Sequence, residues 1–196
     1  MQNRETILSL KLKPRSYKIE KIEGISKKMM NPSAEDLVRI SQEASQVREV
    51  RQLVSPLSNV SEQFIWPLKG RISGVYGSQR VFNGEPRRPH YGIDIAAPRG
   101  TPVIAPAGGI VRLAHSGMFF SGKTLVIDHG LGLSSSFLHL NKILVTEGQQ
   151  VEQGDKIALV GASGRVTGPH LDWRINWLEQ RLDPALWVPP FISRRS

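Results

Sequence analysis

The sequence predicts a mainly β fold of antiparallel sheets, with a short α/β appendage at the N-terminus. Of the eighteen glycines only Gly24 lies in residues 1–61, whereas glycine and proline recur at short intervals from residue 62 onward. Such punctuation is typical of many turns that join short strands. The chain has 196 residues, 39% of them hydrophobic, which is enough to bury one sizeable core. We therefore expect an accessory segment over residues 1–61 and a β-rich domain over residues 62–196.

The accessory segment begins with apolar and polar residues in alternation. This pattern runs over residues 8–13, is interrupted by a turn at residues 14–16, and resumes at Tyr17 and Ile19. Alternation places the apolar side chains on one face of an extended chain. A pair of short strands is therefore expected here.

A helix is predicted over residues 34–54. Ser33 with Asp36 three residues later is typical of a capping box at a helix N-terminus. Apolar residues then recur at spacings of three and four, which gives the helix one amphipathic face. We expect this face to pack against the β-rich domain, with a regulatory role as the alternative. Its members are Leu37, Ile40, Ala44, Val47, Val50 and Val54.

The β-rich domain contains short apolar segments with many β-branched residues, which is the composition of strands. Turns that contain glycine or proline separate these segments, so the pattern leaves little room for helices and favours antiparallel pairing. The clearest strands are residues 103–105, 109–113, 124–128 and 157–160.

Composition excludes several kinds of chemistry. The sequence has no cysteine, so disulfide bonds, thiolate zinc sites, cysteine nucleophiles and iron–sulfur clusters are ruled out. A net charge of +9 favours an acidic partner such as a nucleic acid, an anionic lipid or an anionic cell-wall polymer. Basic and aromatic residues do not interleave as in a nucleic-acid module, so we expect no nucleic acid partner. No apolar run approaches the ~18–20 residues of a membrane span, so none is expected.

His90 and Asp94 are the first candidate metal ligands. In a straight strand they would share a face but lie roughly 13 Å apart, which is too far for both to reach one ion. Gly92 lies between them and permits a sharp bend. A bent chain would bring the imidazole and the carboxylate to one ion; the alternative is two unrelated polar residues.

His170 and Asp172 form the second candidate pair. Two residues apart on a strand, they face the same side about 6.6 Å from each other, with Leu171 and Trp173 on the opposite side. A His–Asp pair on a polar sheet face is the alternative. His139 is a polar residue in an otherwise apolar segment and by itself indicates little.

Taken together, these residues resemble the lysostaphin-type (LytM-type) zinc metalloendopeptidases, which cleave the peptides of peptidoglycan. The resemblance rests on H-x-G-x-D at residues 90–94, a His-Leu strand at residues 139–140 and G-P-H-L at residues 168–171, in that order. Flanking segments such as G-T-P-V-I-A-P at residues 100–106 match as well. The likeness covers about residues 66–189 and implies antiparallel sheets that form an open groove, a fold of the barrel-sandwich-hybrid type.

The resemblance implies a role for each matched residue. His90 and Asp94 correspond to two of the family's three zinc ligands, and His139 and His170 to its two catalytic histidines. The third ligand in the family is the second histidine of a His-x-His pair, and here that position is Asp172. We therefore expect one Zn²⁺ ion, held by His90, Asp94 and Asp172.

An aspartate at the third position alters the expected site without excluding it. Aspartate is an acceptable zinc ligand, and three protein ligands leave the open position that a catalytic ion needs. Two carboxylates cancel the formal charge of a divalent ion, which predicts weaker Lewis acidity. They also favour a harder divalent metal such as manganese or magnesium. We expect a functioning but altered site, with a dead site as the alternative.

The function that follows is a zinc metalloendopeptidase hydrolysing the peptide cross-links of bacterial peptidoglycan, with His139 and His170 handling the protons. The alternative is a degenerate LytM-type module that binds peptidoglycan or activates a cell-wall amidase without catalysis. A lipoyl- or biotinyl-carrier domain is disfavoured, because no turn offers a lysine in a carrier-like setting. Peptidoglycan is the expected partner, together with a cell-division protein or an amidase.

Two further expectations concern the groove and the N-terminus. Residues 119–122 are expected either to line the substrate groove or to join the core, while His115 and His129 are expected to be structural. Residues 7–10 are followed directly by a lysine and are too short for a signal peptide. An enzyme that acts on the wall must reach the periplasm or cell envelope, so we expect upstream sequence to be missing and the native protein to be exported.

Overall fold

The structure is a computed structural model, which describes residue 11 and residues 16–190. Apart from residue 11, the strand predicted over residues 8–13 lies outside the described residues. Among the described residues, no helix has both the length and the apolar character needed to cross a bilayer.

Strands dominate the described chain. Two short 3₁₀ helices lie at Asn59–Ser61 and Pro184–Leu186. The other elements, in chain order, are β1 (Ile19–Ile22), α1 (Lys27–Met30), α2 (Ala34–Arg51), β2 (Arg71–Gly74), β3 (Gln79–Phe82), β4 (Glu85–Pro86), β5 (Ile93–Ala96), β6 (Pro102–Ile104), β7 (Gly109–Met118), β8 (Gly122–Gly130), β9 (Leu133–Leu140), β10 (Lys142–Ile143), β11 (Gln150–Val151), β12 (Lys156–Leu159), β13 (His170–Trp177) and β14 (Gln180–Leu182).

Three sheets are formed. The main sheet has eight antiparallel strands in the order β11–β7–β8–β9–β13–β5–β2, with β14 also pairing with β13. A second antiparallel sheet has the order β10–β12–β6, and a third has the order β1–β3–β4. In the third sheet β1 and β3 run parallel, which departs from the antiparallel pairing that the sequence predicts. The predicted fold class, mainly β with antiparallel sheets and few helices, is confirmed.

The core determines which side chains of the main sheet face away from it. Residues of the main sheet and of the β10–β12–β6 sheet form one buried cluster. Leu171, Trp173 and Ile175 of β13 are fully buried in this cluster. Because side chains alternate along a strand, Asp172 and Arg174 point to the opposite face of the sheet.

Helix α2 starts where the sequence predicts and ends earlier. The Ser33 side chain accepts a hydrogen bond from the Asp36 N–H, and the Asp36 carboxylate accepts one from the Ser33 N–H. The helix ends at Arg51, three residues before the predicted end. The predicted apolar face is also buried less than expected, since Leu37 and Val54 are 55% and 67% exposed.

Polar contacts explain how α2 is held although its apolar face is partly exposed. Glu43 is buried, and its carboxylate accepts the N–H of Phe119 at 2.7 Å and the Nε–H of Arg39 at 2.7 Å. Arg39 also donates to the carbonyl oxygen of Gly117. A smaller apolar contact adds to these, in which Val47 and Val50 pack against Leu113, Met118 and Val126. The helix therefore lies over the face of the main sheet that points away from the core.

His129 is a structural residue, as expected. Its ring is fully buried, with Nδ1 2.7 Å from the carbonyl oxygen of Gly108 and Nε2 2.9 Å from the Ser135 hydroxyl. The carbonyl can only accept, so the neutral ring carries its proton on Nδ1. Burial lowers the pKa of His129 to about 4. The Gly108 carbonyl and nearby carboxylates raise this pKa, but by less than burial lowers it.

This burial predicts that acid weakens the fold. Between pH 6.5 and about 4 the unfolded chain binds a proton at His129 that the folded protein does not, so stability is lost as pH falls. The contribution of this residue to the loss between pH 7 and pH 5 is about 2 kcal/mol. We expect urea unfolding of a His129→Gln variant to depend less steeply on pH than that of the unsubstituted chain. An unchanged pH dependence would mean that His129 is already protonated in the folded protein.

Candidate metal centre and active site

Three side chains from two strands and one bend converge on the outer face of the main sheet. His90 lies just before β5, the chain bends at Gly92, and Asp94 lies in β5 directly opposite Asp172 of β13. The Nε2 atom of His90 is 3.2 Å from Asp94 Oδ1 and 3.5 Å from Asp172 Oδ1. One ligand atom from each of the three residues lies within 4.8 Å of the others. The structure thus brings together the three residues that the sequence singles out as ligands.

Gly92 does more than allow the bend. A Cβ atom at this position would lie 2.6 Å from Asp172 Oδ1 and 2.7 Å from the side chain of Arg174. Any larger residue would therefore push the carboxylate of β13 away from the imidazole. The glycine in the H-x-G-x-D motif is required by this close approach as well as by the turn.

The cluster fits a divalent metal ion. Two ligands about 2.0–2.1 Å from a tetrahedral ion lie ~3.3–3.4 Å apart, and the two separations from His90 Nε2 bracket that value. His90, Asp94 and Asp172 are 3%, 7% and 1% exposed. Neither ring nitrogen of His90 nor Asp94 Oδ1 makes a hydrogen bond to a described residue. Of these atoms, His90 Nε2 and Asp94 Oδ1 lie 3.2 Å apart, and a cation bound between them would satisfy both.

Two arginines neutralise the carboxylates of the cluster. Arg174 donates to both oxygens of Asp172, from Nε at 2.9 Å and from Nη2 at 2.6 Å. Arg80 of β3 donates to Asp94 Oδ2. Burial raises the pKa of Asp172, but the Arg174 guanidinium and the His90 imidazole outweigh it and hold this pKa well below its usual range. The same carboxylates raise the pKa of His90 against the effect of its burial.

These arginines add two positive charges to the two carboxylates on which the expected weak Lewis acidity rests. The four charged groups sum to zero, so an ion held there would meet less negative charge than the two carboxylates alone supply. The weaker Lewis acidity stays a prediction. Arg174 lies two residues after Asp172 on the same face of β13, a spacing from which the sequence could have identified it. Arg80 comes from another sheet, and the sequence carries no signal for it.

His139 and His170 flank the cluster with their rings 4.9 Å apart. The Nδ1 atom of His139 is 2.8 Å from the Ser163 carbonyl oxygen, and that of His170 is 2.9 Å from the Gly168 carbonyl oxygen. Each neutral ring therefore carries its proton on Nδ1 and leaves the Nε2 lone pair available. His139 has a φ of +64°, a left-handed conformation that is uncommon outside glycine and concentrates at functional sites.

The electrostatics of His139 follow from its surroundings. Burial lowers the pKa of His139 to about 4, and His170 adds to this, while the carboxylates of Asp172 and Asp94 and the Ser163 carbonyl act in the opposite direction. The imidazole is therefore neutral near pH 7 and able to accept a proton. The loop that includes Ser163 orients the ring through the carbonyl of that residue, and no motif in the sequence indicates that role.

A cavity of about 580 Å³ lies between α2 and the main sheet, next to the cluster. Phe120, Ser121, His139 and Asp172 are among its lining residues. Phe119 is buried and packs edge-on against Phe120. The four residues at 119–122 thus divide between the two expected roles, with Phe120 and Ser121 at the cavity.

Comparisons with known proteins agree with this geometry. Residues 88–184 match the model of Peptidase family M23. The peptidoglycan DD-endopeptidase ShyA of Vibrio cholerae is 42% identical over 140 residues, which are 65% of this chain and 32% of that protein. The chain thus spans about a third of the length of this curated relative.

Two solved structures are also similar to this chain. A Pseudomonas aeruginosa protein described as a peptidase M23 has a TM-score of 0.70 and 39% identity, covering 82% of this chain and 65% of that one. A zinc-containing peptidase from Vibrio cholerae has a TM-score of 0.58 and 35% identity, covering 62% of this chain and 39% of that one.

Proposed function

The chain belongs to peptidase family M23, and on that premise we propose that it is a zinc metalloendopeptidase that hydrolyses the peptide cross-links of bacterial peptidoglycan. The observation that carries the proposal is the convergence of His90, Asp94 and Asp172 beside His139 and His170. A non-catalytic module has no need of buried, unsatisfied ligand atoms next to two imidazoles with available lone pairs. The enzyme is therefore favoured over a module that only binds peptidoglycan or activates an amidase.

We propose His90, Asp94 and Asp172 as the residues that hold the ion. A zinc ion at this position supplies Lewis acidity, which makes water more acidic and polarises the carbonyl of the scissile amide. Arg174 fixes the orientation of the Asp172 carboxylate, and Arg80 does the same for Asp94. Such outer partners keep ligand atoms at the distances that coordination requires.

The two histidines have different roles. His139 is neutral, and the Ser163 carbonyl holds its ring so that Nε2 is free, so we assign to it the acceptance of a proton from the attacking water. The proton that His139 takes from the water is then the one it passes to the leaving amine, and His170, in the form that also carries a proton on Nε2, donates a hydrogen bond to the developing oxyanion. Its ring is held in the same way, by the Gly168 carbonyl.

The proposed substrate lies in the bacterial cell envelope, so we assign the place of action to the periplasm. The net charge of +9 suits a polymer that carries carboxylates. The proposed metal is zinc, which one imidazole and two carboxylates can bind. The same ligand set also tolerates a harder divalent ion. A cell-division or amidase partner stays an expectation.

Digestion of purified peptidoglycan tests the proposal. We expect the zinc-loaded protein to release soluble muropeptides, a chelator to stop the release, and added zinc to restore it. A His139→Ala variant should retain zinc and lose activity by about 10²–10⁴-fold, since it removes a group that transfers a proton.

His115 provides a control, because it is a half-buried histidine that lies outside the cluster. A His115→Gln variant should digest peptidoglycan at the unsubstituted rate. Zinc-loaded protein that binds peptidoglycan and releases no peptide from it would refute the enzymatic proposal and favour the binding module.

A further inference from the structure

The cavity beside the metal cluster is strongly cationic. Seven arginines and three carboxylates line it. Arg174 is paired with Asp172, and Arg80 with Asp94. Of the other two lining carboxylates, Glu43 is paired with Arg39 of α2. The third, Glu179, accepts a hydrogen bond from Gln52. Five arginines besides Arg80 and Arg174 therefore face one carboxylate, which leaves the cavity with an excess of positive charge.

Arg51 is the last residue of α2 and extends from the roof of the cavity. Its Nη2 atom donates to the Ser136 hydroxyl at 3.0 Å, while its Nε atom is buried without a hydrogen-bond partner among the described residues. Burial, together with Arg174 and Arg181, lowers the pKa of Arg51 to about 10, so the group is still charged at neutral pH. A buried cation with an unused donor is a group that an anionic ligand can satisfy.

Arg165 lies at the cavity between two aromatic rings. Its guanidinium carbon is 4.2 Å from the ring centre of Phe120 and 5.0 Å from that of Phe82. Stacking on ring faces leaves the N–H groups at the edge of the guanidinium plane free to bind a carboxylate in bidentate fashion. Burial and the neighbouring guanidinium groups lower the pKa of Arg165 to about 10.

Arg181 completes the arrangement at the rim, where its guanidinium carbon is 4.1 Å from the ring centre of Tyr91. Within residues 16–190 no carboxylate forms an ion pair with Arg51, Arg165 or Arg181.

Arg51 lies close enough to Arg174 and Arg181 for their charges to add to burial in lowering its pKa. Arg165 is affected in the same way by Arg87, Arg80 and Arg174. An anionic ligand at either place would relieve that repulsion. Aromatic rings and α2 nevertheless hold Arg51, Arg165 and Arg181 in place, which indicates a built anion site.

We propose that this cavity binds the peptide substrate through two of its free carboxylates, one at Arg165 and the other at Arg51 with Arg181, so that the enzyme selects cross-links flanked by acidic groups. The inference rests on the proposed function and names its specificity. Because α2 roofs the cavity, a volume of about 580 Å³ admits a short peptide and excludes a duplex or a bulky polyanion.

Chemical amidation of the substrate tests this proposal. Cross-linked muropeptide dimers, purified after muramidase digestion, are compared with the same dimers after carbodiimide coupling to methylamine. We expect amidation to raise KM at least tenfold and to leave kcat within about threefold, because the arginines do not touch the reacting atoms. Arg165→Gln and Arg51→Gln should raise KM about tenfold on untreated dimers and discriminate less against amidated ones.

Two further variants serve as controls. Arg165→Lys keeps the charge but not the bidentate geometry, and should fall between the unsubstituted chain and Arg165→Gln. Arg71 is an exposed arginine of β2 outside the cavity, and Arg71→Gln should behave as the unsubstituted chain. Circular dichroism checks that each variant is folded.

Equilibrium binding of uncross-linked muropeptides to the metal-free protein separates this inference from the proposed function. Equal hydrolysis of both kinds of dimer would overturn the inference and leave the hydrolase intact. Arginine-dependent binding that amidation abolishes would support the inference even if no hydrolysis occurred. Tighter arginine-dependent binding of polyphosphate or a DNA oligonucleotide than of muropeptides would overturn it in favour of a general polyanion site.

Discussion

An Asp172→Ala variant is expected to lose both the metal ion and the activity of the protein. The substitution removes one of three ligands and leaves only His90 and Asp94 to hold the ion. It also frees the Arg174 guanidinium, whose positive charge then lies beside the cation instead of on a carboxylate. We expect the zinc dissociation constant to rise at least 100-fold and peptidoglycan hydrolysis to fall at least 10³-fold.

Zinc content after dialysis, measured by atomic emission, gives a readout of this prediction that does not depend on activity. Asp172→Asn retains the shape of the side chain and should behave in the same way as alanine, which separates loss of the ligand charge from a packing defect. Asp155, in an exposed turn, offers a control, and Asp155→Asn should bind one zinc ion per chain as before. One zinc ion retained by the Asp172→Ala variant, with activity intact, would remove this residue from the ligand set.

Local patterns predicted the elements of the fold well and their edges less well. The strand predicted over residues 109–113 extends to Met118, because the hairpin with β8 continues past the apolar run and includes polar residues. The capping box set the start of α2, whereas its burial depends on Glu43 reaching the Phe119 N–H. A contact between a charged side chain and one buried backbone N–H cannot be predicted from the spacing of apolar residues.

Site residues that lie close together in the sequence could be predicted from it. Site residues that come from distant segments could be predicted less well. The spacing of His90, Gly92 and Asp94 implied the bend that the structure contains. The pairing of Arg80 with Asp94 depends on where β3 lies relative to β5, which only the fold determines. Arg51 reaches the cavity because α2 crosses it, and no motif near Arg51 indicates that.

An Arg174→Gln variant should be markedly unstable without zinc and should recover much of its stability with zinc. Asp172 is 1% exposed, and Arg174 pairs with both of its oxygens. Removing the guanidinium leaves a buried carboxylate without its partner, which costs about 3–5 kcal/mol in the metal-free protein. A bound cation supplies the missing positive charge, so the cost is smaller in the zinc-loaded protein.

Thermal unfolding with zinc and with a chelator measures both states. For a chain of this size a loss of 1 kcal/mol in stability lowers Tm by about 2–4 °C. The metal-free variant should therefore melt roughly 10 °C lower than the metal-free unsubstituted chain. Zinc should raise the Tm of the variant by more than it raises the Tm of the unsubstituted chain. The control is the Arg112–Asp128 pair, which is also an ion pair to a buried carboxylate but lies outside the cluster. Arg112→Gln should be destabilised equally with and without zinc. If zinc stabilised Arg174→Gln no more than the unsubstituted chain, Asp172 would not be facing a cation in the loaded protein, and Arg174 would be its permanent counter-ion.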